Sequence, residues 1–353
     1  MKKHAVFFLL ILIPALLLSA CGASGAGSSA AQTAAPAVEA VSEAAESAVP
    51  SKVAAEAPPE TPSPAAEAAS GERLFSITER EESLSGEYTD ASGNLTLYSY
   101  SFPVVSGSTA YIDTVNAQLE ELYETYIAPD LKNMDEGFSL VTTYASWRTA
   151  EYEGITSLLV TLHNDWDERL YAVCHFTPEG EQATNAELFA ALGLSADDFT
   201  AAASEKLAGQ FDLDRVQSEE IRSVLEECRD QTLAPDNCHA ELPIFVTAHG
   251  TLCFVGRVYT PAGAGQYDHL FILPPEDGFT GEELSELSRE YCGLYFGHRP
   301  ESAAFEANDD GTVTVQLYDL VGDHNSTCAW YTLSPETGIG TDALGKRVDL
   351  TVQ

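Results

Sequence analysis

From Gly71 onward, apolar residues recur at two spacings, and the switch between them divides the chain into strand groups and helix groups. In YTDASGNLTLYSYSFPVV, residues 88–105, aromatic and β-branched residues appear at strand spacing on either side of Ser92-Gly93-Asn94, the pattern of a hairpin. Tyr111, Ile112, Val115, Leu119, Leu122 and Tyr126 then recur at steps of three and four, which predicts an amphipathic helix of about five turns. Three strand-like runs follow, SLVTTYASWRT, GITSLLVTLHN and RLYAVCHFT. The turns between them are short, so an antiparallel meander is expected.

The middle of the chain changes to helical signals. Thr184 with Glu187, and Ser195 with Asp198, form capping-box patterns ahead of Leu188, Phe189 and Leu192, and of Phe199 and Leu207. Gly193 is placed to stop the first of these helices. Ile221, Val224, Leu225 and Cys228 make a third amphipathic face. Strands return in LPIFVTAHGTLCFVGRVYT, which turns at His249-Gly250, and in YDHLFIL. Thr280 and Glu283 cap a further helix whose buried face is Leu284, Leu287, Tyr291 and Leu294. GTVTVQLYDLV and STCAWYTL close the chain as a β-hairpin, and Asn308-Asp309-Asp310-Gly311 fits an Asp-Gly turn. Strand groups alternating with helix groups, without βαβ regularity, define an α+β class of antiparallel meanders packed with amphipathic helices.

The first 72 residues are of another kind. Lys2 and Lys3 precede a 14-residue apolar run, Ala5–Leu18, which is short of a spanning helix and carries Pro14. Leu18-Ser19-Ala20-Cys21 resembles the lipobox of bacterial lipoproteins. That resemblance implies diacylglyceryl modification of Cys21, cleavage before it, and attachment to the extracytoplasmic face of the cell membrane by two chains. Residues 22–70 are Ala, Ser, Pro and Glu with no aromatic side chain, too little apolar surface to offset the entropy of ordering. The expectation is a disordered tether spanning roughly 40 Å as a flexible coil. The organisation expected is therefore a signal peptide over 1–20, lipidated Cys21 and tether over 21–72, an α+β domain over 73–297, and a β-hairpin extension over 298–353 packing on it.

Charge excludes one class of partner. Lys plus Arg is 17 against 55 Asp plus Glu, a formal net charge of −38, and loss of the signal removes two more lysines. Such a field repels nucleic acid and favours cationic partners. Six cysteines remain beyond Cys21, in a compartment that permits disulfides. Cys228 and Cys238 flank the turn-rich RDQTLAPDN and are the candidate local disulfide; reduced, all six would pack as small apolar residues. No CxxC or HxxxH spacing accompanies Cys174-His175 or Cys238-His239, so neither a metal nor another cofactor is expected.

No GxSxG, Walker loop, GxGxxG or HExxH is present, and no catalytic residue is assigned. Two clusters carry binding chemistry. His163, Asp165, Trp166 and Asp167 lie between two meander strands, where a rigid ring among carboxylates suits a cation or a basic side chain. Tyr259 and Pro261 begin the small-residue loop Tyr259–Gly265, whose glycines permit close backbone approach. Asp323-His324-Asn325 forms a third polar knot.

FVTAHGTLCFVGRVYTPAGAGQYDHLFIL, with Tyr259, Pro261, Ala262 and Gly263 or Gly265 in its loop, is similar to the closing segment of a family of extracytoplasmic domains. That family is shared by the lysozyme-sensing anti-sigma factor RsiV and the peptidoglycan deacetylase PdaC. SFPVVSGSTAYIDTVNAQLEEL resembles its opening segment and NAELFAALGLSADDF its central helices, so that the likeness spans roughly residues 95 to 275. HNDWDE stands where the family often has a Gly-Gly-Ala-His-like turn, and no sigma-binding segment or deacetylase domain accompanies the match. The resemblance implies a binding domain at the envelope. The leading expectation is a surface-tethered, non-catalytic lipoprotein whose ligand is a cationic protein such as a lysozyme, or a cell-wall glycan. The alternatives are an envelope hydrolase or transferase using His324 or His163, and a passive structural lipoprotein.

Overall fold

The computed structural model describes residues 73–353 apart from 82, 165–167, 264 and 322–323. The expected signal peptide, Cys21 and the tether lie outside the described residues. The hairpin expected around Gly93 forms from β2 (Leu84–Thr89) and β3 (Leu95–Tyr100), with Gly93 at φ +86. Asp90 fastens its turn by accepting from the backbone N–H groups of Ser92 and Asn94, both at 2.9 Å. The second arm ends earlier than the apolar pattern indicates. After Ser101-Phe102 the chain starts β4 (Pro103–Ser106), which pairs with β1 (Ser76–Glu79) as a separate two-stranded ribbon.

Thr109 caps α1 (Ala110–Leu122), whose Asn116 clasps β4 through both the N–H and the C=O of Val105, at 3.0 and 2.7 Å. The predicted helix does not end near Tyr126. It passes through a π-helical turn, Tyr123–Ile127, into α2 (Ala128–Glu136) and stops at Gly137 in the left-handed region. Pro129 supplies the cause, because it has no N–H to return to the preceding turn and its ring crowds the carbonyl there.

The meander is β5 (Thr142–Tyr152), β6 (Ile155–Asn164) and β7 (Arg169–Phe176), antiparallel as expected. It joins the hairpin in a five-stranded sheet of order β2-β3-β5-β6-β7. The β3–β5 junction is parallel, because the α1–α2 crossover brings the chain back in its original direction. At β6 both faces of this sheet are covered, and β6 is accordingly an almost continuous apolar run. Leu158, Val160 and Leu162 pack with Ile112, Val115 and Leu119 of α1. Leu159, on the other face, packs with Phe245, Ile272, Leu284 and Leu287.

Both middle capping boxes form, at the heads of α3 (Asn185–Leu192) and α4 (Ala196–Ala208), followed by α5 (Glu219–Thr232). These helices cover a three-stranded antiparallel sheet, β8 (Ile244–Val246), β9 (Leu252–Tyr259) and β10 (Gln266–Ile272), with Phe189, Phe199, Phe254 and Phe271 interleaved in the core. The Thr280 capping box opens α6 (Gly281–Phe296).

The terminal hairpin is part of something larger. The strands β11 (Ser302–Ala307), β12 (Val313–Val321), β13 (His324–Leu333), β14 (Ile339–Asp342) and β15 (Arg347–Asp349) form one antiparallel sheet in sequence order. Val313, Val315, Leu317 and Leu333 from it share a core with Leu284, Leu287 and Cys292 of α6. A boundary at residue 297 would therefore cut through a single core. Residues 350–353 run on along β10, with Leu270 N–H donating to Gln353 O at 2.7 Å and Ile272 N–H to Thr351 O at 3.0 Å. Among the described residues no helix is long and apolar enough to cross a membrane.

Candidate binding cleft

The two sequence-derived clusters sit on the edges of different strands. His163 is half-buried near the end of β6, opposite Arg169 of β7 and Tyr144 of β5. Asp165, Trp166 and Asp167 lie outside the described residues. The flanks of that loop are tied by Asn164 and Glu168, each donating its N–H to the other residue, at 3.0 and 2.9 Å. Tyr259 is half-buried and Pro261 exposed, at the turn from β9 to β10. Thr260 N–H donates to Gly265 O at 3.0 Å, and the Tyr267 hydroxyl lies so close over Gly263 that a β-carbon there would collide with it. Glycine is needed for that closed turn, and the loop is filled by its own Tyr267 rather than opened as a cradle.

The candidate disulfide between Cys228 and Cys238 is not formed; all six described cysteines are unpaired. Hydrogen bonds close this loop instead. Cys238 N–H donates to Ala234 O at 2.9 Å, and Asn237 Nδ2 donates to Thr232 O at 2.6 Å and to Arg257 O at 2.9 Å. The Cys238 thiol points toward Thr200 O of α4, at 3.8 Å, so it packs into the helical layer rather than across the turn. Burial raises the pKa of both thiols, as befits small apolar residues. His324 lies exposed at the head of β13, and Asp323 is outside the described residues.

Where β7, β10, α6 and β15 converge, the structure builds a site of its own. An open cleft of about 280 Å³ is lined by Gln210, Tyr291, Tyr295, Arg347, Asp349 and Val352. A groove beside Arg80 and Tyr123 offers only about 20 Å³, room for little more than a water. Tyr291 and Tyr295, one helical turn apart on α6, stack with ring centroids 4.3 Å apart and planes inclined by 35°. Tyr331 of β13 meets Tyr291 edge-on at 6.0 Å.

Beneath the pair lies Arg169, almost fully buried, with its guanidinium carbon 4.9 Å from the Tyr295 ring centre. Arg169 Nη1 is 3.1 Å from His269 Nδ1, and since arginine can only donate, that ring nitrogen is the acceptor. Arg169 thus joins β7, the strand paired with the end of β6 that carries His163, to β10, the strand that follows the Tyr259 loop. No family model and no curated protein matches this chain.

What the cleft can do follows from its walls. Two tyrosine side chains, Tyr291 half-buried and Tyr295 43 % exposed, offer rigid apolar area ending in hydroxyls. Burial pushes the Tyr291 phenol above its ordinary pKa, so its hydroxyl stays a neutral donor. Arg347 and Asp349, both lining the cleft, are loosely paired at 3.5 Å, and Asp349 also accepts from the Thr351 N–H and hydroxyl. At one side, Lys206 Nζ donates to Thr351 Oγ1 at 2.6 Å, and burial lowers its pKa.

Sequence reading placed Tyr291 on a buried helical face and passed over Tyr295, Arg169 and His269. The i, i+4 tyrosine pair was the one local signal. Its meaning depends on which side of α6 remains uncovered.

Proposed function

We propose that this chain is a non-catalytic, lipid-anchored binding protein of the cell envelope, and that it holds a cell-wall glycan across the Tyr291–Tyr295 platform. The platform is the observation that carries the reading. A pyranose ring has an apolar C–H face and a polar rim, which match a tyrosine face bordered by Gln210, Arg347 and Asp349. Arg347 at the rim suits the carboxylates that cell-wall muropeptides carry. The lipobox-like LSAC and the compositional tether support presentation of this cleft outside the membrane.

The test is calorimetric titration of the full chain with a soluble disaccharide muropeptide and with a chitin tetrasaccharide. Saccharide binding that falls about fivefold in Tyr295→Ala supports the reading, the loss of one stacked ring being worth about 1 kcal/mol. Absence of saccharide binding, or affinity unchanged in both Tyr291→Ala and Tyr295→Ala, refutes it.

The charge of −38 favours a second reading, capture of a cationic protein by the overall field. Lysozyme retention that weakens with salt and survives Tyr295→Ala would support that reading over the glycan one.

A further inference from the structure

Gly297 ends α6 in the left-handed conformation, φ +69, and turns the chain so that His298 leaves the helix toward the β12–β13 pair. His298 Nε2 lies 2.6 Å from Asp319 Oδ2 on β12. Cys328 on β13 directs its sulfur to the same oxygen, at 3.2 Å. Its presence there has a backbone cause. The β12–β13 ladder slips between Leu317 and Tyr318: Leu317 pairs with Ala329 and Tyr318 with Thr327, which leaves Cys328 as the extra residue of a bulge. Bulges re-aim side chains, and they recur at functional sites.

The carboxylate is oriented as well. Asp319 Oδ1 accepts from the Glu301 backbone N–H at 2.9 Å, leaving Oδ2 turned to the histidine and the cysteine. Three donor atoms of three kinds, from the end of a helix and two strands, thus lie within 4.8 Å of one another at an accessible rim.

We propose that His298 Nε2, Asp319 Oδ2 and Cys328 Sγ bind one zinc ion, with the fourth tetrahedral position left to water. Zinc takes nitrogen and oxygen at about 2.0–2.2 Å and thiolate at about 2.3 Å, so its donors stand roughly 3.3–3.7 Å apart. Reaching that geometry requires the 2.6 and 3.2 Å separations to open and the His298–Cys328 separation, within 4.8 Å, to adjust, by rotation of accessible side chains. Imidazole plus thiolate selects a borderline-soft ion over magnesium or calcium, which take oxygen ligands. On binding, the Cys328 thiol releases its proton to solvent and the imidazole ligates in its neutral form. The thiolate and the Asp319 carboxylate then balance the two positive charges of the ion. Without metal the arrangement is adverse to the thiolate, since burial and the neighbouring Asp319 push the Cys328 thiol up to about 11. The Glu301 N–H is the outer contact that would hold the carboxylate in place. The site is independent of the glycan reading.

The full chain, stripped with chelator, would be titrated with zinc and, for its spectrum, with cobalt. The expected result is one equivalent bound, with a thiolate-to-cobalt charge-transfer band and the visible absorption of tetrahedral cobalt. Cys328→Ser should abolish that band, and His298→Ala should weaken zinc by more than about tenfold. Both residues are exposed, so both metal-free variants should melt with the parent. Failure to bind one equivalent, or a thiolate band that persists in Cys328→Ser, would overturn the assignment.

Discussion

His175 gives this protein a calculable sensitivity to acid. It lies on β7, six residues beyond the platform-supporting Arg169, and is 7 % exposed. Ser157 Oγ is 3.0 Å from its Nδ1. Burial lowers its pKa from 6.5 to about 4, against a smaller opposing contribution from the backbone at Ile244. The folded ring is therefore neutral where the unfolded ring is charged. Between pH 6.5 and about 4 the unfolded state binds more protons, so stability is full above that window and falls as the pH drops through it. Integrating the two titrations to about pH 4.5 gives a loss of about 2.5 kcal/mol from this residue alone. Carboxylates held low by hydrogen bonds, such as Asp198 and Glu187, push in the same direction, so a difference measurement is needed. Urea unfolding of the parent and of His175→Gln would be followed at about pH 7.5 and about pH 4.5. The variant should lose about 2.5 kcal/mol less than the parent over that interval. Equal losses in the two proteins would refute the assignment of a neutral buried imidazole.

Three other outcomes are expected. Thr280→Ala removes the cap of α6 and should lower stability by about 1 kcal/mol in urea melts, weakening saccharide binding with it because α6 carries Tyr291 and Tyr295. Gly263→Ala places a methyl group against the Tyr267 hydroxyl at φ +60 and should destabilise by about 1–3 kcal/mol, with a lowered melting temperature as readout. Thiol titration of the denatured, unreduced chain should find Cys174, Cys228, Cys238, Cys253, Cys292 and Cys328 all reactive, with the melting temperature unchanged by dithiothreitol. A shift on reduction would restore the Cys228–Cys238 bridge.

Much of the framework was legible because its determinants are neighbours in the chain. The capping boxes at Thr184, Ser195 and Thr280 formed as their spacing predicts, since a cap needs only residues three apart. Gly93 and Gly250 turned their hairpins, at φ +86 and +83, for the same reason. The errors fell where a longer-range contact decides. Phe102 and Pro103 continue the apolar pattern of β3, yet Glu79 of β1 accepts from Phe102 N–H at 2.7 Å and draws the chain into a different ribbon. The Cys228–Cys238 loop looked suited to a disulfide, but Asn237 already closes it by reaching Thr232 and Arg257.

Periodicity and end signals alone determined the α+β class, most helix starts and the β5–β7 meander. Each depends on interactions spanning a few residues, or on composition, and so is written locally. Tertiary structure alone decided the parallel β3–β5 junction, the enlargement of the last hairpin to five strands, and both sites. Arg169, Tyr295 and Arg347 meet only because a sheet face, a helix and a distant strand pack together. Cys328 meets His298 and Asp319 only because a ladder slips by one residue. Side chains far apart in sequence are brought together by core packing, and a one-dimensional pattern does not carry the relative rotation of the elements that hold them.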